Sequence, residues 1–213
     1  KLLQIQDKFK LIREDDVVLD VGCHPGGWSQ VAVELVGDGG KVIGVDLEPC
    51  QPVEGAILLV GDITESSTQE RIRNELDGRV INNIVSDISP DITGNWDIDQ
   101  AVAMTLVADV LDFSLDLLCK GGSFITKIFQ GVGIEELIVA VKPYFSDVRR
   151  FSPMASRNSS SEVYLICRNH MPWVKRETTI RQTYETLLDV KLNPEEEVAE
   201  EQVFTGFKLR KKK

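Results

Sequence analysis

Through its first 170 residues the chain alternates short, largely apolar runs with longer stretches whose apolar positions recur every three or four residues. The runs predict strands over residues 17–21, 41–46, 56–60, 80–86, 122–128, 145–151 and 162–168. The helical rhythm predicts helices over 2–11, 27–36, 65–76, 99–118 and 133–142. Strand and helix alternate, so the pattern predicts an α/β fold whose mostly parallel sheet is covered on both faces. The last two strands have only a Ser/Arg/Asn-rich loop between them, Ser152 to Ser161, and therefore pair as an antiparallel hairpin at one edge of a seven-stranded sheet. Beyond His170 the pattern changes. Arg176 to Val190 reads as an amphipathic helix, Pro194 to Glu201 is acidic and Lys208 to Lys213 is basic, which predicts an extension over 171–213 appended to a domain of residues 1–170.

The predicted strand ends carry the candidate chemistry. Asp20-Val21-Gly22-Cys23-His24-Pro25-Gly26-Gly27-Trp28-Ser29-Gln30 joins the first strand to the second helix through a glycine-rich turn. Glycine lacks Cβ and accepts positive φ, so backbone can approach a ligand there, and the helix start offers unpaired N–H groups. His24 stands where the dinucleotide fingerprint G-x-G-x-x-G needs glycine, and no Gly-Lys-Ser/Thr ending marks a P-loop. A nicotinamide-dependent oxidoreductase is weakened by the same residue. A glycine turn without pyrophosphate features suits a nucleoside whose charge lies in an amino-acid tail, and S-adenosylmethionine is the candidate. Asp46 follows the second strand about 20 residues past the turn, where a carboxylate accepts from ribose hydroxyls. Asp62, after the third strand, is placed to accept from an adenine amino group. One aspartate after a strand is as readily a loop cap, but three successive polar strand ends follow the rule that open α/β sheets bind ligands at the carboxyl ends of their strands. The expected cofactor-binding residues are Gly22, Pro25, Gly26, Gly27, Trp28, Asp46, Leu47, Asp62, Ile63 and Asp87.

Length and charge narrow this picture. With 213 residues, 42% of them hydrophobic, the chain can bury one α/β core and carry a tail. No apolar run has the length of a transmembrane helix and no signal peptide is visible, so a cytoplasmic protein without membrane contact is expected. The chain opens on Lys1 and not on Met, so a preceding segment is expected. Cys23, Cys50, Cys119 and Cys167 lack C-x-x-C spacing and read as reduced thiols; with only His24 and His170 beside them, no metal site is expected. A formal net charge of −10 opposes binding of a polyanion by the chain as a whole, so nucleic-acid contact must come from local cationic patches.

Three later segments end in polar residues: Ile84-Val85-Ser86-Asp87-Ile88-Ser89-Pro90, the glycine-led Gly121 to Gly131, and Ser159-Ser160-Ser161-Glu162-Val163-Tyr164. Asp87 and Lys127 fall at the carboxyl ends of the fourth and fifth strands. Glu162 opens the last strand, which runs antiparallel, so its beginning lies on the same face. Acid, lysine and acid therefore converge beside the cofactor. Lys127 lies among Phe124, Ile125, Ile128 and Phe129, where desolvation lowers a lysine's pKa unless carboxylates hold its charge.

On these residues the chain resembles the FtsJ/RrmJ family of RNA 2′-O-methyltransferases, over about residues 1 to 168. The Pro-Gly-Gly-Trp turn, Ser-Asp-x-x-Pro, Lys-x-Phe-Gln-Gly and the closing Ser-Arg-x-x-Ser-x-Glu-x-Tyr occur in the family's order. The resemblance implies a Rossmann-like, S-adenosylmethionine-dependent methyltransferase fold and a catalytic Lys-Asp-Lys-Glu tetrad on Lys1, Asp87, Lys127 and Glu162. It also implies ribosomal RNA or the large ribosomal subunit as partner, with methyl transfer to a uridine of the peptidyl-transferase region. Relatives with this signature modify tRNA anticodon loops or mRNA caps, and a cofactor-binding protein without catalysis is a further alternative; the retained Asp87, Lys127 and Glu162 argue against the latter. Two departures stand out: Cys23 and His24 replace small residues of the turn, and the family's basic, aromatic segment before the first lysine is missing. Arg149, Arg150 and Arg157 flank the last hairpin and are the candidate RNA-binding residues, with Lys8, Lys10 and Arg13 on or near the first helix. A monomer is expected.

Overall fold

In the computed structural model, which describes residues 1–90, 93–154 and 162–193, the predicted strands form one sheet. They are β1 (Val17–Val21), β2 (Lys41–Asp46), β3 (Ala56–Val60), β4 (Ile81–Ser86), β5 (Leu118–Phe129), β6 (Phe145–Phe151) and β7 (Glu162–His170), in the order β3-β2-β1-β4-β5-β7-β6. β1 to β5 pair in parallel; β7 runs antiparallel between β5 and the edge strand β6. The helices are α1 (Leu2–Phe9), α2 (Gly27–Val36), α3 (Ser66–Glu75), α4 (Trp96–Leu117), α5 (Ile134–Val141) and α6 (Ile180–Leu192).

Two cores follow from the two-residue period of the strands. Leu19, Ile43, Ile84, Phe124 and Leu165 pack with Met104 and Leu111 of α4 and Leu137 of α5. Their neighbours Val18, Val42, Val85, Ile125 and Ile166 point the other way, onto Leu2 and Ile5 of α1 and Ala32 and Val36 of α2. This is why the strand runs lack a polar face.

Two boundaries differ from the sequence expectation. β5 begins at Leu118, not 122, because Leu118 pairs with Ile81 ahead of a register shift between Ile81 and Asn83. That irregularity absorbs Gly121, whose φ of 78° favours glycine. The last helix begins at Ile180, not Arg176. Thr179 caps it by accepting the Gln182 N–H at 3.0 Å, while the Gln182 side chain accepts the Thr179 N–H at 3.1 Å. Asp112 of α4 takes the Ile180 N–H at 2.7 Å, and Arg176, left outside the helix, bridges Asp112 and Asp116. Ile180 and Tyr184 join the core shared by α4 and α5, so this part of the extension packs on the sheet's helical layer.

Candidate active site

The glycine turn begins where β1 meets β4. Gly22 has φ 79°, and a Cβ there would lie 2.8 Å from Ile88 Cα, so only glycine lets these strand ends approach so closely. Gly26, at φ 119°, starts α2, and half-buried Trp28 lies 5.7 Å from the Tyr164 ring. Asp46 ties the turn to the loop after β2: Oδ2 accepts the His24 N–H at 2.8 Å and Oδ1 the Glu48 N–H at 3.0 Å. The exposed His24 ring has Nδ1 3.2 Å from the Pro49 carbonyl, beside that loop. Asp62 caps its own turn, Oδ1 accepting both the N–H and the hydroxyl of Thr64 at 2.8 and 2.7 Å. Pro25 and Gly27 are open to solvent, Leu47 is 67% exposed, and the Ile63 side chain is in the core.

Asp20, to which the sequence alone assigns no role, is the most strongly perturbed acid of the site. It sits inside β1, fully buried, with Ser29 Oγ donating to Oδ2 at 2.7 Å and no partner for Oδ1 among the described residues. Burial pushes its pKa up to about 7; the Ser29 hydrogen bond opposes this, and the nearby Asp87 and Asp46 charges add to it. The signal was an acid interrupting the apolar run Val17 to Val21. Acids gathered at a glycine turn, Asp46 and Asp87 beside the proton-holding Asp20, suit a ligand bearing cationic groups, such as a sulfonium and an α-ammonium, and disfavour a pyrophosphate. The residues therefore fit S-adenosylmethionine better than a dinucleotide.

Two acid–lysine pairs stand at the carboxyl end of the sheet. Lys127, only 8% exposed, places Nζ 3.3 Å from Asp87 Oδ1 and donates to the Asp87 carbonyl at 3.1 Å. Tyr164 donates its hydroxyl to the same Oδ1 at 3.1 Å; burial, then Asp87, push its pKa upward and keep the phenol protonated. Lys1, the N-cap of α1, has Nζ 2.7 Å from Glu162 Oε2. Register explains the meeting. Lys127 pairs with Tyr164 and Phe129 with Glu162, so all four project to the face that α1 covers. On the outer side Trp96, half exposed, lies edge-on to Phe129 at 6.1 Å, and Lys127 Nζ is 5.7 Å from that phenyl ring.

The candidate RNA-binding arginines stand apart from this cluster on the edge strand, and both described ones are ion-paired. Arg149 contacts Asp147 and Arg150 contacts Glu135, each at 2.7 Å. Arg157 lies outside the described residues.

Residues 1–170 match the FtsJ-like methyltransferase family. The chain is 41% identical over 174 residues to the ribosomal RNA large subunit methyltransferase E of Methanocaldococcus jannaschii, covering 80% of this chain and 71% of that one. It is 45% identical over 166 residues to the enzyme of the same name from Methanothrix thermoacetophila, covering 78% and 64%. The crystal structure of a ribosomal RNA methyltransferase from Plasmodium falciparum superimposes with a TM-score of 0.71 at 24% identity, over 79% of this chain and 94% of that one, a likeness of fold. By family match and by identity over most of its length, the chain belongs to the FtsJ-like methyltransferases, whose methyl donor is S-adenosylmethionine.

Proposed function

We propose that this chain methylates a ribose 2′-hydroxyl of large-subunit ribosomal RNA, at a uridine, acting as a cytoplasmic monomer through a methyltransferase domain of residues 1–170. The observation that carries the reading is the pairing of Lys127 with Asp87 and of Lys1 with Glu162 at the strand ends that also hold the acid-lined turn. S-adenosylmethionine supplies a methyl group made electrophilic by its sulfonium. A ribose hydroxyl is a very weak acid, so the protein's task is to orient it and manage its proton. Lys127 is the central catalytic group: its Nζ hydrogen-bonds the 2′-hydroxyl and orients it for attack, and the hydroxyl proton leaves as the new O–C bond forms. Asp87 holds that Nζ, and Tyr164 holds Asp87. Lys1 stabilises charge developing on the oxygen, positioned by Glu162. In-line alignment of oxygen and methyl carbon supplies much of the remaining acceleration.

RNA approaches across the outer side of the site, where Trp96 offers a ring for base stacking, as in single-strand recognition. Arg149, Arg150 and Arg157 carry phosphate contact, the first two by exchanging their carboxylate partners for phosphate. The names of the relatives favour ribosomal RNA. Methyl transfer from labelled S-adenosylmethionine to large ribosomal subunits, compared with total tRNA, tests the reading. Labelled subunits are expected; label confined to tRNA would make tRNA the substrate, and no label in either would overturn the proposal.

A further inference from the structure

We infer that Cys23 and Cys50 form a reversible disulfide that braces the cofactor turn when the protein meets a mild oxidant. Their sulfurs lie 3.0 Å apart, with both thiols free. Bond formation at about 2.05 Å needs an approach of about 1 Å. Cys23 follows Gly22 in the turn, and its sulfur sits against β2 where Gly44 leaves room: a Cβ at Gly44 would be 3.0 Å from Cys23 Sγ and 2.7 Å from Leu58 Cδ2. Cys50 lies in the β2–β3 loop that Asp46 opens. The cross-link thus joins the two segments that Asp46 already joins through the His24 and Glu48 N–H groups. It covalently fastens an existing arrangement, and so acts as a brace and not as an off-switch.

The two thiols are unequal. Cys23 is 2% exposed and burial pushes its pKa upward, whereas Cys50 is half-buried and within reach of solvent. With hydrogen peroxide as oxidant, the Cys50 thiolate attacks one oxygen, giving a sulfenic acid and releasing one water after protonation. The Cys23 sulfur then attacks the sulfenyl sulfur and loses its proton, and the departing hydroxide leaves as a second water. Two thiols are oxidised by two electrons as one peroxide is reduced. An external dithiol reverses the step by exchange. Cys167, fully buried in β7, and Cys119 serve as internal controls.

The test treats the full chain with stoichiometric hydrogen peroxide, alkylates it and measures intact mass and peptide maps. The expected product has lost two hydrogens, yields a linked Cys23–Cys50 peptide and reverts with dithiothreitol, and Cys50→Ser does not form it. The linked form should melt about 5–10 °C higher than the reduced one. Its affinity for S-adenosylmethionine, an arm that rests on the cofactor reading, should stay within threefold. Over-oxidation of Cys50 without a cross-link would overturn the inference. So would a linked form that melts no higher, or one that binds the cofactor more than tenfold more weakly. If the reduced protein itself fails to bind S-adenosylmethionine, the cofactor reading falls, while mass and melting still decide the cross-link.

Discussion

Asp20→Asn should flatten the dependence of stability on pH. The folded-state pKa of Asp20 is pushed up to about 7 from an ordinary 3.8, chiefly by burial. A carboxyl raised in this way holds its proton in the folded chain after the unfolded chain has released it. Its contribution is therefore full below the unfolded pKa and is lost as pH rises through the folded one. About three pH units at about 1.4 kcal/mol each make the full loss on the order of 4 kcal/mol, more than half of which falls between about pH 5 and pH 8. Asparagine keeps the shape and can still accept from Ser29 Oγ, but it cannot ionise. Urea denaturation at about pH 5, 6.5 and 8 should show the parent losing that much more stability than the variant across the range. Parallel pH profiles for the two proteins would refute the assignment of Asp20 as a buried, proton-holding acid.

Lys127→Met should lower turnover by at least about a hundredfold, the usual scale of a lost proton-transfer group, while S-adenosylmethionine affinity measured by calorimetry stays within a few fold. Appreciable turnover would remove Lys127 from the centre. Asp46→Ala frees the His24 and Glu48 N–H groups and deletes the proposed ribose acceptor, so cofactor binding should weaken by about 1–3 kcal/mol; unchanged titration heats and affinity would exclude Asp46 from the pocket. Replacing Arg149 and Arg150 together by Ala should reduce the salt slope of RNA binding by about two. An unchanged slope would place the RNA backbone elsewhere, with Lys8 on α1 and Lys10 at its C-cap the next residues to replace.

The strands and most helices were legible because apolar residues follow two clear periods, and the topology because the loop from Ser152 to Ser161 left no room for a crossover helix. Antiparallel pairing then fixes which end of β7 faces the ends of β4 and β5, so the sequence alone brings Asp87, Lys127 and Glu162 together. What escaped were properties of depth and of side-chain partnership. Nothing in the sequence says that Asp20 is sealed beneath the turn while Asp46 and Asp62 act as loop ties. Tyr164 was quoted in a motif, but its hydrogen bond to Asp87 depends on the β5–β7 register. Arg149 and Arg150 flank the last hairpin as candidate RNA-binding cations; their partners come from β6 itself and from α5, the latter about 15 residues away in sequence. The contact between Cys23 and Cys50 likewise joins two loops that no spacing rule connects.

The central claim is methylation of the ribose oxygen by a lysine-centred site, and the chemical position of the methyl group tests it most directly. Large ribosomal subunits are labelled with S-adenosylmethionine by the parent and by Lys127→Met, and the RNA is hydrolysed in alkali. A 2′-O-methyl group prevents attack of that oxygen on the neighbouring phosphate, so the label remains in an alkali-resistant dinucleotide. The account predicts labelled dinucleotide from the parent and almost none from the variant. Label released in mononucleotides, or equal dinucleotide label from both proteins, would contradict it.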